Sequence, residues 1–278
     1  MAAIPKPETG LADLIYEAYQ KKESKELMLT RIGASGIGEE CVRSIWYDWR
    51  GVSNDLIDGR VLRLFKTGYI QEDRVVQDLK DAGLEVWEVD PDTKKQWVYI
   101  AADGHFVCKP DGVVRGVPGA EKTPHLLEIK SSNVKGFKEL QSRGVKEAKP
   151  MHYYQMQAGM WLAGLKRALY VVICKDDEKF HIERVERDEL TIKDIERKLS
   201  SLTQIMSPPA KIAEKEGDWR CKFCDHKEVC WADKQPIKNC RSCQHSSVIP
   251  DGGWACNKVA QEIPYKTQLV GCPEWTPY

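Results

Sequence analysis

The sequence has no long apolar segment and no excess of either charge. No apolar run approaches the ~20 residues that a membrane helix requires, and the opening stretch, MAAIPKPETG, lacks the apolar segment of a signal peptide. Lys plus Arg and Asp plus Glu each number 42, so the formal net charge is zero. We therefore expect a cytoplasmic protein without a membrane partner, and an anionic partner would need a local basic surface.

The order of apolar patterns predicts an α/β fold. A helix is expected after Gly68, ending before Gly83. Four strand-like runs follow, namely LEVWEV, QWVYIAA, HFVCKPDGVV and HLLEIKSS. A helix after Pro150, two further strands and a helix capped by Asp188 complete the pattern. We assign residues 1–234 to this core and 235–278 to a small Cys-rich C-terminal region that needs a metal to fold.

Two of the strand-like runs place acidic and basic residues together. KPDGVV (109–114) and HLLEIKSS (125–132) are joined by a turn-rich segment, which predicts an antiparallel pair. Asp111 and Glu128 can then project side by side, and strand alternation puts Lys130 on the face of Glu128. Two carboxylates can hold Mg²⁺ or Mn²⁺ to activate a water, which the lysine orients. The alternative is an Asp-Gly turn followed by an edge strand with an ordinary Glu and Lys.

Motifs on either side extend this arrangement. Gly68-x3-Glu72 precedes the strands and is expected to place a carboxylate near the start of a helix, whereas Tyr153-x-Gln155-Met-Gln157 follows them. Helical geometry lets only one of the two glutamines face the strands. In this order the motifs resemble the RecB-like branch of the PD-(D/E)XK nucleases, and the last is similar to lambda exonuclease and the YqaJ recombinases. The resemblance covers roughly residues 30–232 and implies a restriction-endonuclease-like core, a central mixed sheet flanked by helices.

The resemblance also implies the residues of the site. Glu72, Asp111 and Glu128, with the carbonyl of Ile129, would bind the divalent metal, although relatives more often have His at the first position. Lys130 would be the catalytic lysine and Gln155 the glutamine of the site. The aromatic residue expected four positions after that glutamine is Gly159 in this sequence, which leaves the details of DNA contact open.

The activity implied is that of a Mg²⁺- or Mn²⁺-dependent deoxyribonuclease, with exonuclease action favoured over endonuclease action. It would resect DNA ends in recombination, repair or phage replication, in the bacterial cytosol or, if phage-encoded, in that of the host. Its partners would be DNA and a single-strand annealing or other recombination protein. The alternative is a catalytically silent DNA-binding or assembly module built on a nuclease-like core. Coincidental motifs in a zinc-stabilised interaction protein are a third interpretation.

A local basic patch follows the strands. It consists of Lys135, Lys138, Arg143 and Lys146, together with the flanking Lys130 and Lys149. These residues are candidates for contact with DNA phosphates. The alternative is a solvated, flexible loop.

The ten cysteines suggest metal sites, because the cytosol keeps thiols reduced. Cys108 and Cys174 lie in apolar strand-like runs and are expected in the core. A first cysteine set begins with the C-x2-C-x5-C motif, which needs a fourth thiolate, and Cys41 is the isolated candidate; the set is Cys41, Cys221, Cys224 and Cys230. This arrangement resembles AddB and the RecB-like nucleases of CRISPR adaptation, which implies a structural [4Fe–4S] cluster. A zinc site made by the same thiolates is the alternative.

A second cysteine set lies in the C-terminal region and comprises Cys240, Cys243, Cys256 and Cys272. One C-x2-C pair with two later cysteines in turns is typical of a small zinc fold. His226 and His245 are possible substitutes as ligands. The region could grip DNA, dock a partner protein or cap the core.

Overall fold

The computed structural model describes residues 10–23, 31–53 and 57–278. The first nine residues lie outside the described residues, and with them most of the segment MAAIPKPETG, for which no signal peptide is predicted. The core elements are α1 (Leu11–Glu23), β1 (Ile32–Gly33), α2 (Val42–Arg50), α3 (Gly59–Asp81), β2 (Glu85–Trp87), β3 (Tyr99–Ala101), β4 (Phe106–Cys108), β5 (Gly112–Arg115), β6 (His125–Ser132), α4 (Val134–Ala148), α5 (Pro150–Ala163), β7 (Arg167–Cys174), β8 (Phe180–Glu186) and α6 (Glu189–Gln204).

The remainder of the chain forms short elements. A 3₁₀ turn and one short helix follow α6, and three short strands and a last helical turn lie in the C-terminal region. They are the 3₁₀ turn Trp219–Cys221, α7 (Lys227–Trp231), β9 (Ser246–Ile249), β10 (Gly253–Cys256), β11 (Gln261–Glu262) and α8 (Tyr265–Gln268). Within the described ranges, no helix has both the length and the apolar character needed to cross a membrane.

A mixed five-stranded sheet of order β2-β5-β6-β7-β8 forms the centre of the fold. Strands β6 and β7 pair in parallel, and the other neighbours are antiparallel. The parallel pair needs a long crossover, which α4 and α5 supply. One face of the sheet, including Leu126, packs against α4 and α5, and the opposite face, including Leu127 and Ile129, packs against α3. The predicted α/β class, a mixed sheet flanked by helices, is confirmed.

Two boundaries differ from the sequence-based expectation. Helix α3 begins at Gly59, where the side chain of Asp58 caps it by accepting a hydrogen bond from the Arg60 N–H at 2.9 Å. The prediction that the helix opens after Gly68 is therefore wrong, and Glu72 lies in its middle. The run HFVCKPDGVV divides into β4 and β5, which belong to different sheets. Pro110 lies at the break, where it removes a backbone donor from the ladder.

The flexible-loop alternative for the basic patch is also wrong, because Val134–Ala148 forms α4. The side chain of Asn133 caps this helix by accepting from the Gly136 N–H at 2.9 Å. Gly144, with φ 71° and ψ 169°, interrupts the helix and shifts its apolar spacing. Two internal glycines and a high charge content hid the helix from the sequence pattern.

The C-terminal region packs on the core around α2. Trp254 of β10 and Ile263 are buried in the same apolar cluster as Trp46 and Trp49 of α2 and Phe106 of β4. β9, β10 and β11 form a separate antiparallel sheet. The core and the C-terminal region therefore share buried apolar surface.

Candidate active site

The pairing of β5 with β6 brings Asp111, Glu128 and Lys130 together. Gly112 stands opposite Leu127 in this antiparallel register, so the next position along sets Asp111 opposite Glu128. The backbone N–H of Ile129 donates to Asp111 Oδ2 at 2.6 Å. Lys130 Nζ lies 2.5 Å from Glu128 Oε1. The three side chains therefore meet at one end of the strand pair, as the spacing predicts.

Burial controls the charge state of these groups. The Glu128 side chain is 1% exposed, and burial raises its pKa, which Lys130 opposes and Asp111 reinforces. Burial likewise raises the pKa of Asp111, against the effect of Lys130 and the Ile129 N–H. Burial alone would lower the pKa of Lys130, but the charges of Glu128 and Asp111 outweigh burial and raise it. Lys130 is therefore held in its charged form. Its single positive charge is not enough to neutralise the carboxylates around it.

Glu72 approaches the same group from α3. Burial raises the pKa of its carboxyl, the charge of Asp111 adds to the rise, and Lys130 opposes it. The third carboxyl group thus comes from a helix packed on the sheet, and it lies in mid-helix rather than at a helix start. Three carboxyl groups and one lysine lie within electrostatic range, an imbalance that a divalent cation would relieve.

The donor set fits Mg²⁺ or Mn²⁺ in chemistry, because hard cations prefer carboxylate and carbonyl oxygens. Glu128 Oε1 is buried without a hydrogen bond of good geometry, although it forms an ion pair with Lys130. No three His, Cys, Asp or Glu side chains of the described ranges converge closely enough to hold an ion as they stand.

The two glutamines of α5 have different surroundings. Gln157 is fully buried, donates to the Glu186 carbonyl at 2.9 Å and accepts from the Asp188 N–H at 2.8 Å. It therefore joins β8 to α6 and is not available to the site. Gln155 has no hydrogen bond to any described residue and lies one helical turn before Gly159. A Cβ atom at position 159 would lie 2.6 Å from Leu126 Cδ2, so Gly159 packs directly against β6. Gln155 thus lies on the helix face toward β6, and the close packing leaves no room for the aromatic residue that the resemblance predicts at position 159.

His152 is a neighbour of the site that the sequence reasoning missed. Its Nδ1 lies 2.6 Å from the hydroxyl of Tyr170, and Tyr170 stands beside Glu128 in the parallel β6–β7 register. Burial lowers the pKa of His152 to about 4, and Lys130 and Lys149 contribute, so the ring is neutral at pH 7. Its position three residues before Gln155, on the same helix face, is the signal that could have identified it.

The basic patch is only partly available to an anionic partner. Arg143 pairs with Glu139 at 3.1 Å and with Glu147 at 3.6 Å, and Lys146 pairs with Asp188 at 3.0 Å. Lys135 and Lys138 are exposed one turn apart on α4 and form no ion pair with a described residue. These two lysines are the basic side chains of α4 best placed for phosphate contact.

The structure brings the first cysteine set together from distant parts of the chain. Cys41 precedes α2, Cys221 ends the 3₁₀ turn and Cys230 lies in α7. Burial raises the pKa of Cys230, Arg43 and Lys211 oppose the rise, and the charges of Cys41 and Cys221 add to it. Cys41 also acts on Cys224. The thiols of Cys41, Cys224 and Cys230 therefore lie within electrostatic range of one another.

The histidine near the first cysteine set is engaged elsewhere. His226 is 3% exposed, and its ring nitrogens lie 2.5 Å from Ser53 Oγ and 3.0 Å from Asp48 Oδ1. It is not a substitute ligand. The second cysteine set lines one cavity together with His245.

No family model matches the sequence, and no curated protein matches it significantly. Among solved structures, the chain is similar to the alkaline exonuclease LHK-Exo from Laribacter hongkongensis, with 20% identity and a TM-score of 0.44 over 67% of this chain and 90% of that chain. It is also similar to a phage-related exonuclease from Haemophilus somnus 129PT, with 14% identity and a TM-score of 0.43 over 63% of this chain and 92% of that chain. Both neighbours are described as exonucleases. Such distant likenesses do not assign an activity to this chain.

Proposed function

We propose that the protein is a divalent-metal-dependent deoxyribonuclease, and specifically an exonuclease that resects DNA ends in recombination, repair or phage replication. The observation that carries the proposal is the meeting of Asp111, Glu128 and Lys130 at the end of the β5–β6 pair. Burial holds two carboxylates and a charged lysine in contact there, and a buried, charged cluster of this kind costs stability. Such a cost is typical of a site kept for its chemistry.

The side chains have separate parts in this proposal. Asp111, Glu128 and Glu72, with the carbonyl of Ile129, would hold Mg²⁺ or Mn²⁺. The ion would supply activation of a water and neutralisation of phosphate charge when bound. Lys130 would place its ammonium against a phosphate oxygen or the attacking water. Gln155, which has no hydrogen bond to a described residue, would orient the substrate.

DNA is the proposed substrate, and Lys135 and Lys138 would contact its backbone, since exposed lysines without acidic partners lose least on binding phosphate. Arg143 and Lys146 would join them only by leaving their carboxylates. A single-strand annealing or other recombination protein is the proposed protein partner. The bacterial cytosol, or that of the host for a phage-encoded protein, stays the predicted location.

The activity is tested on protein purified without oxygen and incubated with end-labelled linear DNA. We expect degradation only when Mg²⁺ or Mn²⁺ is present, with a ladder of products that identifies the end attacked. Closed circular DNA is the matched control, because an exonuclease leaves it intact and an endonuclease does not. Binding without cleavage of linear, circular and single-stranded DNA would contradict the proposal and favour the silent DNA-binding module.

The first cysteine set would hold a structural [4Fe–4S] cluster, because four thiolates suit iron–sulfur ligation and the set joins the start of α2 to the segment after α6. We expect brown wild-type protein with about four irons per chain. Cys224→Ala should lose the iron, the visible absorption and much of the soluble fold, whereas Cys174→Ala, a buried cysteine outside both sets, should keep the iron. Normal folding and full cleavage by Cys224→Ala would contradict the structural role, and zinc in place of iron would identify the alternative metal.

A further inference from the structure

We propose that the second cysteine set holds a structural Zn²⁺, and that the C-terminal region so formed clamps helix α2 of the core. The site is separate from the carboxylates of the active site and from the first cysteine set. Cys240, Cys243, Cys256 and Cys272 line a single cavity of about 300 Å³. None of the four is in a disulfide.

The backbone around these cysteines has the features of a metal-binding turn. The Cys243 N–H donates to the Cys240 carbonyl at 3.2 Å, which closes the C-x2-C turn. The Thr276 N–H donates to Cys243 Sγ at 3.5 Å. Backbone N–H groups directed at sulfur favour the thiolate, which is the form that binds metal.

The other two cysteines reach the cavity from separate segments. Cys256 ends β10, where it pairs with Ser246 of β9 and Gln261 of β11. Cys272 lies after α8 and lines the same cavity as Cys240, Cys243 and Cys256. Four cysteine sulfurs around one cavity suit tetrahedral Zn²⁺.

The size of the region favours a structural ion. Its strands are two to four residues long and its helix has four residues. So short a segment cannot bury enough apolar surface to hold itself together without a disulfide or a metal. The thiols surround the cavity, and no three potential ligands of the described chain yet converge, so binding would draw them inward by side-chain rotation.

The clamp on α2 is built from aromatic and arginine side chains. The Trp254 ring of β10 lies 4.9 Å from the Trp49 ring of α2. Arg241, inside the C-x2-C turn, donates from Nη1 to the Trp49 carbonyl at 3.0 Å, and Arg50 donates from Nη1 to the Arg241 carbonyl at 3.0 Å. The C-x2-C turn thus both donates hydrogen bonds to the C-terminal end of α2 and accepts them from it. Cys41 of the first cysteine set lies at the other end of this helix.

The test is the metal content of the full chain, purified without added metal, with zinc and iron measured together. We expect about one zinc per chain in the wild type, near none in Cys243→Ser and Cys272→Ser, and an unchanged amount in Cys174→Ser, which alters a buried cysteine outside both sets. Absence of zinc from the wild type, retention of zinc by both variants, or loss of iron in its place would overturn the site.

A second measurement uses only the wild-type protein, so it tests the proposal even if the cysteine variants do not fold. Titration with a mercurial thiol reagent should release zinc to a metal-sensitive dye as the second cysteine set reacts, and alkylation mapped by mass spectrometry should find these four protected until then. Free alkylation before zinc release would overturn the proposal. Zinc removal should also lower the midpoint of thermal unfolding by roughly 5 °C or more and shift tryptophan fluorescence. Zinc loss without either change would overturn the clamp.

Discussion

Lys130→Gln is expected to reduce the single-turnover rate of DNA cleavage by about 100-fold or more, since it removes a preorganised cation from the reacting phosphate. Lys130 Nζ lies 2.5 Å from Glu128 Oε1, and its pKa is raised by Glu128 and Asp111, so it carries a full charge at pH 7. The neutral amide is one atom shorter than the lysine side chain and supplies no charge. DNA affinity, measured in Ca²⁺, should change little, because the phosphate-binding lysines proposed on α4 are untouched.

The Lys130 substitution also has a cost in stability that must be separated from the loss of activity. It leaves Glu128 as a buried carboxylate without its cation, and breaking a buried pair in this way costs about 3–5 kcal/mol. The double variant Lys130→Gln/Glu128→Gln removes both charges, so we expect it to regain most of that stability while it stays inactive. Lys193→Ala, an exposed lysine of α6, is the matched control and should cleave at the wild-type rate.

Full-rate cleavage by Lys130→Gln would show that Lys130 is not catalytic. Recovery of cleavage by the double variant would show that neither Lys130 nor Glu128 is needed for catalysis, and that Lys130→Gln acts only by destabilising the fold. Folding is followed by circular dichroism in every variant, so that an unfolded protein is not counted as an inactive one.

Arg50→Met is expected to lower the free energy of unfolding by about 3 kcal/mol or more, because it leaves several buried acceptors without a donor. Arg50 is 1% exposed and has no carboxylate partner among the described residues. Its guanidinium lies 4.5 Å from the Trp46 ring, 4.9 Å from the Trp254 ring and 5.1 Å from the Tyr278 ring. The positive charge is therefore stabilised by aromatic faces, carbonyls and hydroxyls.

Arg50→Met removes a defined set of hydrogen bonds. It donates to Ser246 Oγ at 3.0 Å and to the Tyr278 hydroxyl, and burial lowers its pKa to about 10, so it stays charged at neutral pH. Arg50→Lys should also be strongly destabilising, because an ammonium cannot reproduce the planar set of donors. Methionine fills a similar volume, which limits the cavity left behind.

Unfolding in guanidinium chloride, followed by near-ultraviolet circular dichroism, measures the effect of Arg50→Met. Arg197→Met is the control, because Arg197 is 76% exposed and pairs with Asp194 on the surface of α6, where an ion pair contributes less than about 1 kcal/mol. A change at Arg50 no larger than that at Arg197 would mean that the C-terminal region does not depend on this contact.

Local patterns were sufficient for the β5–β6 pair and for the helices with clear ends. The glycine- and proline-rich connection predicted the antiparallel pair, and the two-residue period of a strand placed Lys130 on the face of Glu128. Pro150 at the first turn and Asp188 at the N-cap marked α5 and α6 correctly. These features depend on interactions between residues near in sequence, so the sequence alone determines them.

The remaining boundaries were decided by packing. Helix α3 begins at Gly59 and continues through Gly68, and α4 forms despite Gly136 and Gly144. In both helices the buried face against the sheet outweighs the low helix propensity of glycine, which costs only about 1 kcal/mol per residue. A rule based on local signals stops such a helix at its first glycine.

The sequence by itself determined the strand pair that holds Asp111, Glu128 and Lys130, and the cysteine spacings that predict metal sites. Only the tertiary structure brought Glu72 toward Asp111, put Cys41 beside Cys230, directed Gln157 away from the site and buried Arg50 beneath Trp254. The physical reason is that strand alternation and turn chemistry are fixed within a few residues. Contacts between segments far apart in sequence depend on how the apolar faces of helices and sheets pack together.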